Sequence, residues 1–186
     1  MSGIRIVSDE NVISKEKEII LWLLENGLDF YHFRKPKEDS KAIDGFLETI
    51  PFQYRKNIVL HYETKVLGFL RHHKQSEIVT EYTNTHSCSN HSKEEVEKNL
   101  KHYEHCFWSP VFDSISKQGY KANVSIGLDD FSEEEKNRII ALGGIEPSRF
   151  KELKAKGFKQ IAIKGWFWNQ SDYKKAWKEI KSKWQE

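Results

Sequence analysis

A short polar segment that follows an apolar run contains the residues best suited to bind an anion. Residues 106–112 predict a buried strand, and Ser114, Ser116, Lys117 and Gly119 come directly after it. The hydroxyls and the ammonium group can donate hydrogen bonds, and the glycine lets the backbone approach a ligand closely. Such a loop at the C-terminal end of a strand is typical of a phosphate or oxyanion site. A polar surface loop without a ligand is the alternative interpretation.

Three histidines lie near the predicted C-terminal ends of other strands, namely His32, His61 and His91. Imidazole titrates near neutral pH, so each is a candidate for acid or base catalysis. A hydrogen-bonded or surface histidine without a catalytic role is the alternative for each of them. His72 and His73 are adjacent on a further predicted strand, so at most one of them faces the interior.

Glycines follow the last two predicted strands. Gly143 and Gly144 end one strand, and Lys164 and Gly165 lie near the end of the other. Glycine at such a position lets backbone N–H groups approach an anion, which makes these residues candidates for phosphate binding. A tight strand-to-helix turn is the alternative for the glycine pair.

Apolar runs and helical periodicities alternate along the whole chain. We predict strands at 4–8, 28–35, 57–62, 68–74, 85–91, 106–112, 139–145 and 159–168. We predict helices at 14–26, from 39 or 40 through 50, from 92 through 103, at 132–139, at 147–156 and at 172–184, with Ser14, Ser92 and Ser132 as caps. Residues 63–67 are barely a turn of helix, and residues 76–82 are too short for a normal crossover helix.

The alternation of strands and helices favours an α/β protein with a parallel sheet. Eight such units predict a compact (β/α)8 TIM barrel with shortened helices after the third and fourth strands, and a doubly wound open sheet is the alternative. We treat residues 1–186 as one domain. In such barrels the site forms at the C-terminal ends of the strands, which is where the candidate residues lie.

The overall composition favours small-molecule partners. The net charge is +2, from 30 basic and 28 acidic residues, so no charge excess indicates nucleic acid or an anionic membrane. We expect no membrane segment and no signal peptide, and a cytoplasmic location in which Cys88 and Cys106 are reduced thiols. Self-association into a homo-oligomer is left open, as is the role of residues 112–130 as a lid.

Five segments in order resemble motifs of the thiamine phosphate synthase and thiazole tautomerase superfamily. They are LDFYHFRK, SCSNHSKEE, SPVFDSISKQG, IIALGGI and IAIKGWF, and together they cover most of the chain. The resemblance implies a (β/α)8 barrel that acts in thiamine assembly from a thiazole phosphate and a pyrimidine diphosphate. It assigns Arg34, Ser114, Ser116 and Lys117 to the pyrophosphate, Gly144 and Gly165 to the thiazole phosphate, and Ser89 and His91 to the end of the fifth strand.

The chain also departs from the synthase pattern. His32 stands in place of a glutamine, Lys35 could replace a lysine that is missing one position later, and His61 and Tyr62 replace an Asn-Asp pair. The predicted strand at 68–74 contains no acid where that pattern has a second magnesium-binding aspartate. Because Mg²⁺ prefers carboxylate oxygens, these differences argue against a metal-assisted synthase.

The departures favour a thiazole tautomerase-like isomerase that uses no metal, since moving a proton needs only an acid or a base. The histidine that the tautomerase branch can carry is Pro110 here, so we expect His61 first, His91 second and His32 third to move the proton. The alternative is a thiamine phosphate synthase that joins a thiazole phosphate to hydroxymethylpyrimidine diphosphate with Mg²⁺. A third alternative, of another class, is a noncatalytic barrel that binds a phosphate ligand.

Overall fold

The computed structural model describes residues 3–11, 13–74, 85–113 and 127–186. Eight parallel strands form a closed barrel in sequence order, in which the first strand also pairs with the last. The strands are β1 (Ile4–Val7), β2 (Phe30–Phe33), β3 (Ile58–Leu60), β4 (Leu70–His73), β5 (Thr85–Asn90), β6 (His105–Trp108), β7 (Ile139–Ala141) and β8 (Gln160–Ile163). The predicted (β/α)8 barrel is therefore confirmed, and the open sheet is excluded.

Helices surround the barrel. They are α1 (Glu16–Glu25), α2 (Ser40–Glu48), α3 (Phe52–Arg55), α4 (Lys93–Asn99), α5 (Glu133–Lys136), α6 (Phe150–Ala155, preceded by the 3₁₀ turn Pro147–Arg149), α7 (Gly165–Trp168) and α8 (Tyr173–Gln185). Apolar side chains of the strands and helices form one large buried cluster between the two layers. A smaller apolar cluster inside the barrel is formed by Val7, Phe107, Ile140 and Ala162, with Leu142 packed against it.

Local capping chemistry explains where several helices begin. The Ser92 hydroxyl accepts the Glu95 N–H, and Ser132 forms a reciprocal capping box with Glu135, as the sequence predicts. Asp39 caps α2 by accepting the Ala42 N–H. The prediction that Ser14 caps α1 is wrong, because the helix begins after Lys15, whose backbone is left-handed and whose side chain makes no cap bond.

The strands are shorter than predicted, and two predictions about neighbouring segments are wrong. β8 ends at Ile163, so Trp166 and Trp168 lie in the short helix α7 rather than on the last strand. Residues 61–69 connect β3 to β4 without any helix, so the expected shortened helix after the third strand is missing. The segment expected to hold a short helix after the fourth strand, at 76–82, lies outside the described residues.

Two other sequence predictions concern features of the described chain. Cys88 and Cys106 are free and buried on the neighbouring strands β5 and β6, with their sulfur atoms 3.8 Å apart. In the part of the chain that the structure describes, every helix is too short or too polar to cross a membrane.

Candidate functional site

The C-terminal ends of the strands surround an open cavity of about 350 Å³, which we call the mouth. The described residues that line it come from the ends of all eight strands. They are Val7, Glu10, Arg34, His61, His72, Lys74, Ser89, His91, Phe107, Leu142 and Lys164. The mouth is therefore on the face where (β/α)8 barrels have their active sites.

The charged residues that line the mouth are three cations and one carboxylate. Arg34, Lys74 and Lys164 carry positive charge, and Glu10 is the carboxylate. The Glu10 Oε1 atom accepts from Arg34 at 3.1 Å and from Lys164 at 2.6 Å, so one carboxylate orients two of the cations. Arg34 is fixed further because its backbone N–H donates to the Ser8 hydroxyl, which donates to the Arg34 carbonyl. The formal charges favour an anionic ligand.

Three histidines meet below the cations, and we call His32, His61 and His72 the mouth group. The Nδ1 atom of His32 lies 3.2 Å from Nε2 of His61. The rings of His61 and His72 are stacked with centroids 4.1 Å apart. The Phe107 ring meets His32 and His72 edge-on at 4.7 Å and 5.0 Å, so an apolar wall supports the group from inside the barrel.

The mouth group is neutral at physiological pH. Burial lowers the pKa of all three imidazoles, and charge repulsion lowers it further. A proton on His61 or His72 would repel one on His32, and His72, Arg34, Arg71 and Lys74 act in the same way on His61. The pKa of His72 falls to about 3. Each imidazole therefore offers one lone pair and one N–H, and can accept a proton only at a cost.

Hydroxyls on β5 contact both nitrogens of His72. Nδ1 lies 2.9 Å from the Ser87 oxygen, and Nε2 lies 2.8 Å from the Ser89 oxygen. Only Ser89 of these two lines the mouth, so Nε2 is the nitrogen of His72 on the cavity side. The buried Ser87 fixes the ring from behind.

The structure brings most of the described candidates together. His61, His91, Arg34, Ser89 and Lys164 line the mouth. His91 is exposed, and its Nδ1 atom donates to the Ser109 carbonyl at 2.7 Å, which leaves Nε2 toward solvent or a ligand. His32 is completely buried and contacts the mouth through His61.

The two glycine candidates lie next to the mouth rather than in its described lining. Gly144 has φ +62°, and a Cβ atom there would lie 2.5 Å from the Asp113 carbonyl oxygen. The turn after β7 therefore packs against residues 110–113, which follow β6, and both segments share one rim of the barrel. Gly165 is the first residue of α7. The remaining candidates, Ser114, Ser116 and Lys117, lie outside the described residues.

Lys35 does not replace the missing lysine of the synthase pattern. Its ammonium group is buried in an ion pair with Glu16 at 2.8 Å and donates to the Asp9 and Asn11 carbonyls. It lines a second cavity of about 360 Å³ that α1 and α2 cover, outside the barrel. Neighbouring residues at a strand end point to opposite faces, so a shift of one position moved this cation away from the mouth.

Sequence reasoning missed three polar residues of the mouth. Glu10 and Lys74 had no motif to mark them, and only their positions after β1 and β4 indicate the C-terminal rim. His72 was noted as one of two adjacent histidines, but the sequence did not show which residues it contacts. The signal that could have identified it is its place on the fourth strand, two strands from His32.

Comparisons with known proteins agree with this architecture. A structure of thiamine phosphate pyrophosphorylase from Bacteroides thetaiotaomicron is 25% identical, with a TM-score of 0.72 over 97% of this chain and 94% of that one. One from Pyrococcus furiosus is 17% identical, with a TM-score of 0.75 over 98% and 95%. A geranylgeranylglyceryl phosphate synthase from Thermoplasma acidophilum, 12% identical, reaches 0.62 over 97% and 91%. No family model and no curated protein sequence matches the chain.

The fold and the mouth define a (β/α)8 barrel whose cationic site is built on the C-terminal ends of its strands. Within that class, the nearly full-length likeness to two pyrophosphorylase structures makes this chain a thiamine phosphate synthase-like barrel.

Proposed function

We propose that the chain is a transferase of the thiamine phosphate synthase type, which joins a thiazole phosphate to hydroxymethylpyrimidine diphosphate and releases pyrophosphate. The observation that supports this best is the charge of the mouth, where Arg34, Lys74 and Lys164 surround one cavity. Both substrates are phosphate esters, and a departing pyrophosphate needs its negative charge neutralised. The likeness to pyrophosphorylase structures supports the same reaction.

In this proposal the cations divide the work of binding and charge neutralisation. Arg34 donates two parallel hydrogen bonds to pyrophosphate oxygens, and Lys164 supplies a positive charge whose position Glu10 fixes. Backbone N–H groups at Gly144 and Gly165 hold the thiazole phosphate, and Ser114, Ser116 and Lys117, which follow β6 in the sequence, are assigned to the pyrophosphate by the resemblance. Ser89 and His91 contact the substrates from the end of β5.

Magnesium does not fit the described mouth. Mg²⁺ takes oxygen ligands with near-octahedral geometry, and the carboxylate that the described lining offers is Glu10, which is bonded to two cations. The Asn-Asp pair that the synthase pattern has after β3 is His61 and Tyr62 here, and β4 contains no acid. We therefore assign no step to Mg²⁺.

A second candidate reaction is the isomerisation of a thiazole carboxylate phosphate, which the sequence alone favours. The observation in its support is the mouth group, whose imidazoles can exchange a proton with a bound ligand, although their lowered pKa makes them weak bases. His61 is the best placed proton carrier because it lines the cavity, whereas His32 lies beneath it. His91 is the alternative carrier.

One set of assays distinguishes these reactions. Purified protein is incubated with both substrates, with EDTA or with Mg²⁺, and separately with the thiazole carboxylate phosphate; products are resolved by chromatography and mass spectrometry. We expect thiamine phosphate and pyrophosphate in equal amounts, and we expect Arg34→Ala to lose this activity while Lys151→Ala, an exposed lysine on α6, retains it.

Isomerised thiazole without thiamine phosphate would replace the transferase with the isomerase. Binding of the thiazole phosphate in calorimetry without either product would make the chain a noncatalytic phosphate-ligand barrel. Absence of both binding and turnover would refute an active site at the mouth.

A further inference from the structure

We propose that the mouth group binds a divalent first-row transition metal ion, of which Zn²⁺ is the representative, through one nitrogen each of His32, His61 and His72. Nothing in the synthase pattern or in either candidate reaction calls for a metal held by imidazoles. The proposal can be tested without any substrate, so its outcome is separate from that of the proposed function.

The positions of the nitrogen atoms carry the argument. One nitrogen from each ring lies within 4.8 Å of one nitrogen from each of the others. Two nitrogens bound to one tetrahedral zinc ion at ~2.0–2.1 Å lie roughly 3.3 Å apart. The observed separation of His32 Nδ1 and His61 Nε2 is 3.2 Å, so this pair already has the spacing of two ligands on one ion.

His72 has the surroundings of a third ligand. Its Nε2 atom is on the cavity side, and its Nδ1 atom lies 2.9 Å from the Ser87 oxygen. If Nδ1–H donates to Ser87, the Nε2 lone pair points toward the cavity, where the Ser89 hydroxyl now contacts it. A buried hydrogen-bond partner that fixes the tautomer of a ligating histidine is a regular feature of zinc sites.

His32 would bind the ion through Nδ1, the nitrogen that faces His61. Its Nε2 atom has no hydrogen-bond partner among the described residues, so no described contact fixes which nitrogen of the ring carries the proton.

The surroundings select the kind of metal and its remaining ligand. Imidazole nitrogens suit zinc and its neighbours rather than Mg²⁺, and the mouth group includes no carboxylate. Three protein ligands leave a fourth position open, as in catalytic rather than structural zinc sites. That position opens onto the cavity with Arg34, Lys74 and Lys164, whose charges weaken metal binding until an anion joins them. An anionic ligand such as a phosphate oxygen fits there.

The first measurement uses the full-length wild-type protein after its affinity tag has been removed, since a histidine tag binds metals. Metal-free protein is titrated with Zn²⁺ against a chromogenic chelator, and separately with Co²⁺ while the visible spectrum is recorded. We expect one tight ion per chain and an intense Co²⁺ absorption of the kind that four-coordinate sites give. Absence of tight Zn²⁺ binding by folded wild-type protein would overturn the proposal without any variant.

Variants then locate the ion. We expect His61→Gln and His72→Gln each to weaken Zn²⁺ binding by about a hundredfold or more, because each removes one of three ligands. The matched control is His86→Gln, a buried histidine in the second cluster with metal-ligand spacing, with Glu104 and His105. Circular dichroism of the metal-free forms verifies that each variant is folded.

The control also provides the opposite outcome. If His86→Gln abolishes Zn²⁺ binding and the two mouth variants retain wild-type affinity, the ion belongs to the other cluster and the proposal is wrong. Retention of the Co²⁺ spectrum by a folded His72→Gln protein would likewise exclude His72 as a ligand.

Discussion

Two groups of buried or half-buried histidines lie at opposite ends of the same barrel and have different partners. The mouth group faces a cavity, hydroxyls and cations. The second, which we call the base group, consists of His86, Glu104 and His105 at the N-terminal ends of β5 and β6, near Arg5. There Phe30 packs on His86 with centroids 4.5 Å apart. Burial keeps imidazoles neutral at both ends, so burial alone does not mark a site; access to a cavity does.

The difference predicts that the mouth group serves function and the base group serves stability. His86 Nδ1 lies 2.8 Å from the Glu104 carboxylate, so its partner is another side chain of the protein. His61 borders open space, where a ligand can be its partner. The following predictions test that division, beginning with the largest expected effect.

Removing two cations from the mouth has the largest expected effect. We expect Arg34→Ala combined with Lys164→Ala to weaken binding of inorganic pyrophosphate by about a hundredfold, or ~2.7 kcal/mol, because Glu10 would then face the ligand unopposed. Calorimetry measures the affinity. The control pair, Lys151→Ala with Lys178→Ala, removes equal charge from exposed positions on α6 and α8 and should change affinity little. An equal loss in both pairs would mean that overall charge, not the mouth, attracts the anion.

Truncating one histidine in each group and comparing the losses of stability gives the second test. We expect His86→Ala to lower the free energy of unfolding by about 2 kcal/mol, because it leaves a cavity against Phe30. His61→Ala should cost less than about 1 kcal/mol, since its ring borders the cavity already. Urea denaturation in the presence of EDTA measures both without any contribution from metal. The reverse order of the two losses would contradict the division between function and stability.

Much of this arrangement could be predicted from the sequence. The parts that could not be predicted have one cause in common. The order of strands and helices identified the barrel, and placing residues after strands brought Arg34, Ser89 and His61 to one rim. Whether a residue faces the interior depends on register, and one position changes the face. That is why Lys35 was considered as a substitute for the missing lysine although it pairs with Glu16 outside the barrel.

Register also explains why the histidine groups were not predicted as groups. The pairing of β4 with β5 shifts between Arg71 and His72, an irregularity that no sequence pattern marks. The contact of His86 with Glu104 depends on the pairing of β5 with β6, in which Ser87 lies opposite His105. Contacts across strands are set by neighbours far apart in sequence, so single residues could be nominated but not combined.

The pH dependence of stability tests the base group directly. Burial, Arg5, His86 and Arg138 lower the pKa of His105 to about 2, with the Glu104 carboxylate 3.7 Å away. In the unfolded chain His105 takes up a proton with a pKa of ~6.5, whereas in the folded protein it stays neutral. The free energy of unfolding therefore falls as the pH drops below that value.

The expected size is about 1.4 kcal/mol per pH unit for each such histidine between roughly pH 6 and pH 4. We expect His105→Gln to reduce the slope of unfolding free energy against pH by the amount that corresponds to about one bound proton. Urea denaturation at several pH values measures this slope. Glutamine keeps a polar side chain of similar size in the same place. A slope identical to that of the wild type would show that His105 is protonated in the folded protein.

The smallest expected effect concerns the carboxylate of the base group. The Glu104 side chain is 65% exposed, so its contact with His86 is screened, and Glu104→Gln should cost about 0.5 kcal/mol at pH 7.5. Glu104 also opposes the lowering of the His86 pKa, so its removal should steepen the loss of stability in acid. Glu152→Gln, which disturbs an exposed pair with Lys156 on α6, is the control. If both variants showed the same pH dependence, Glu104 would be an ordinary surface acid, and the base group, like the mouth group, would consist of imidazoles alone.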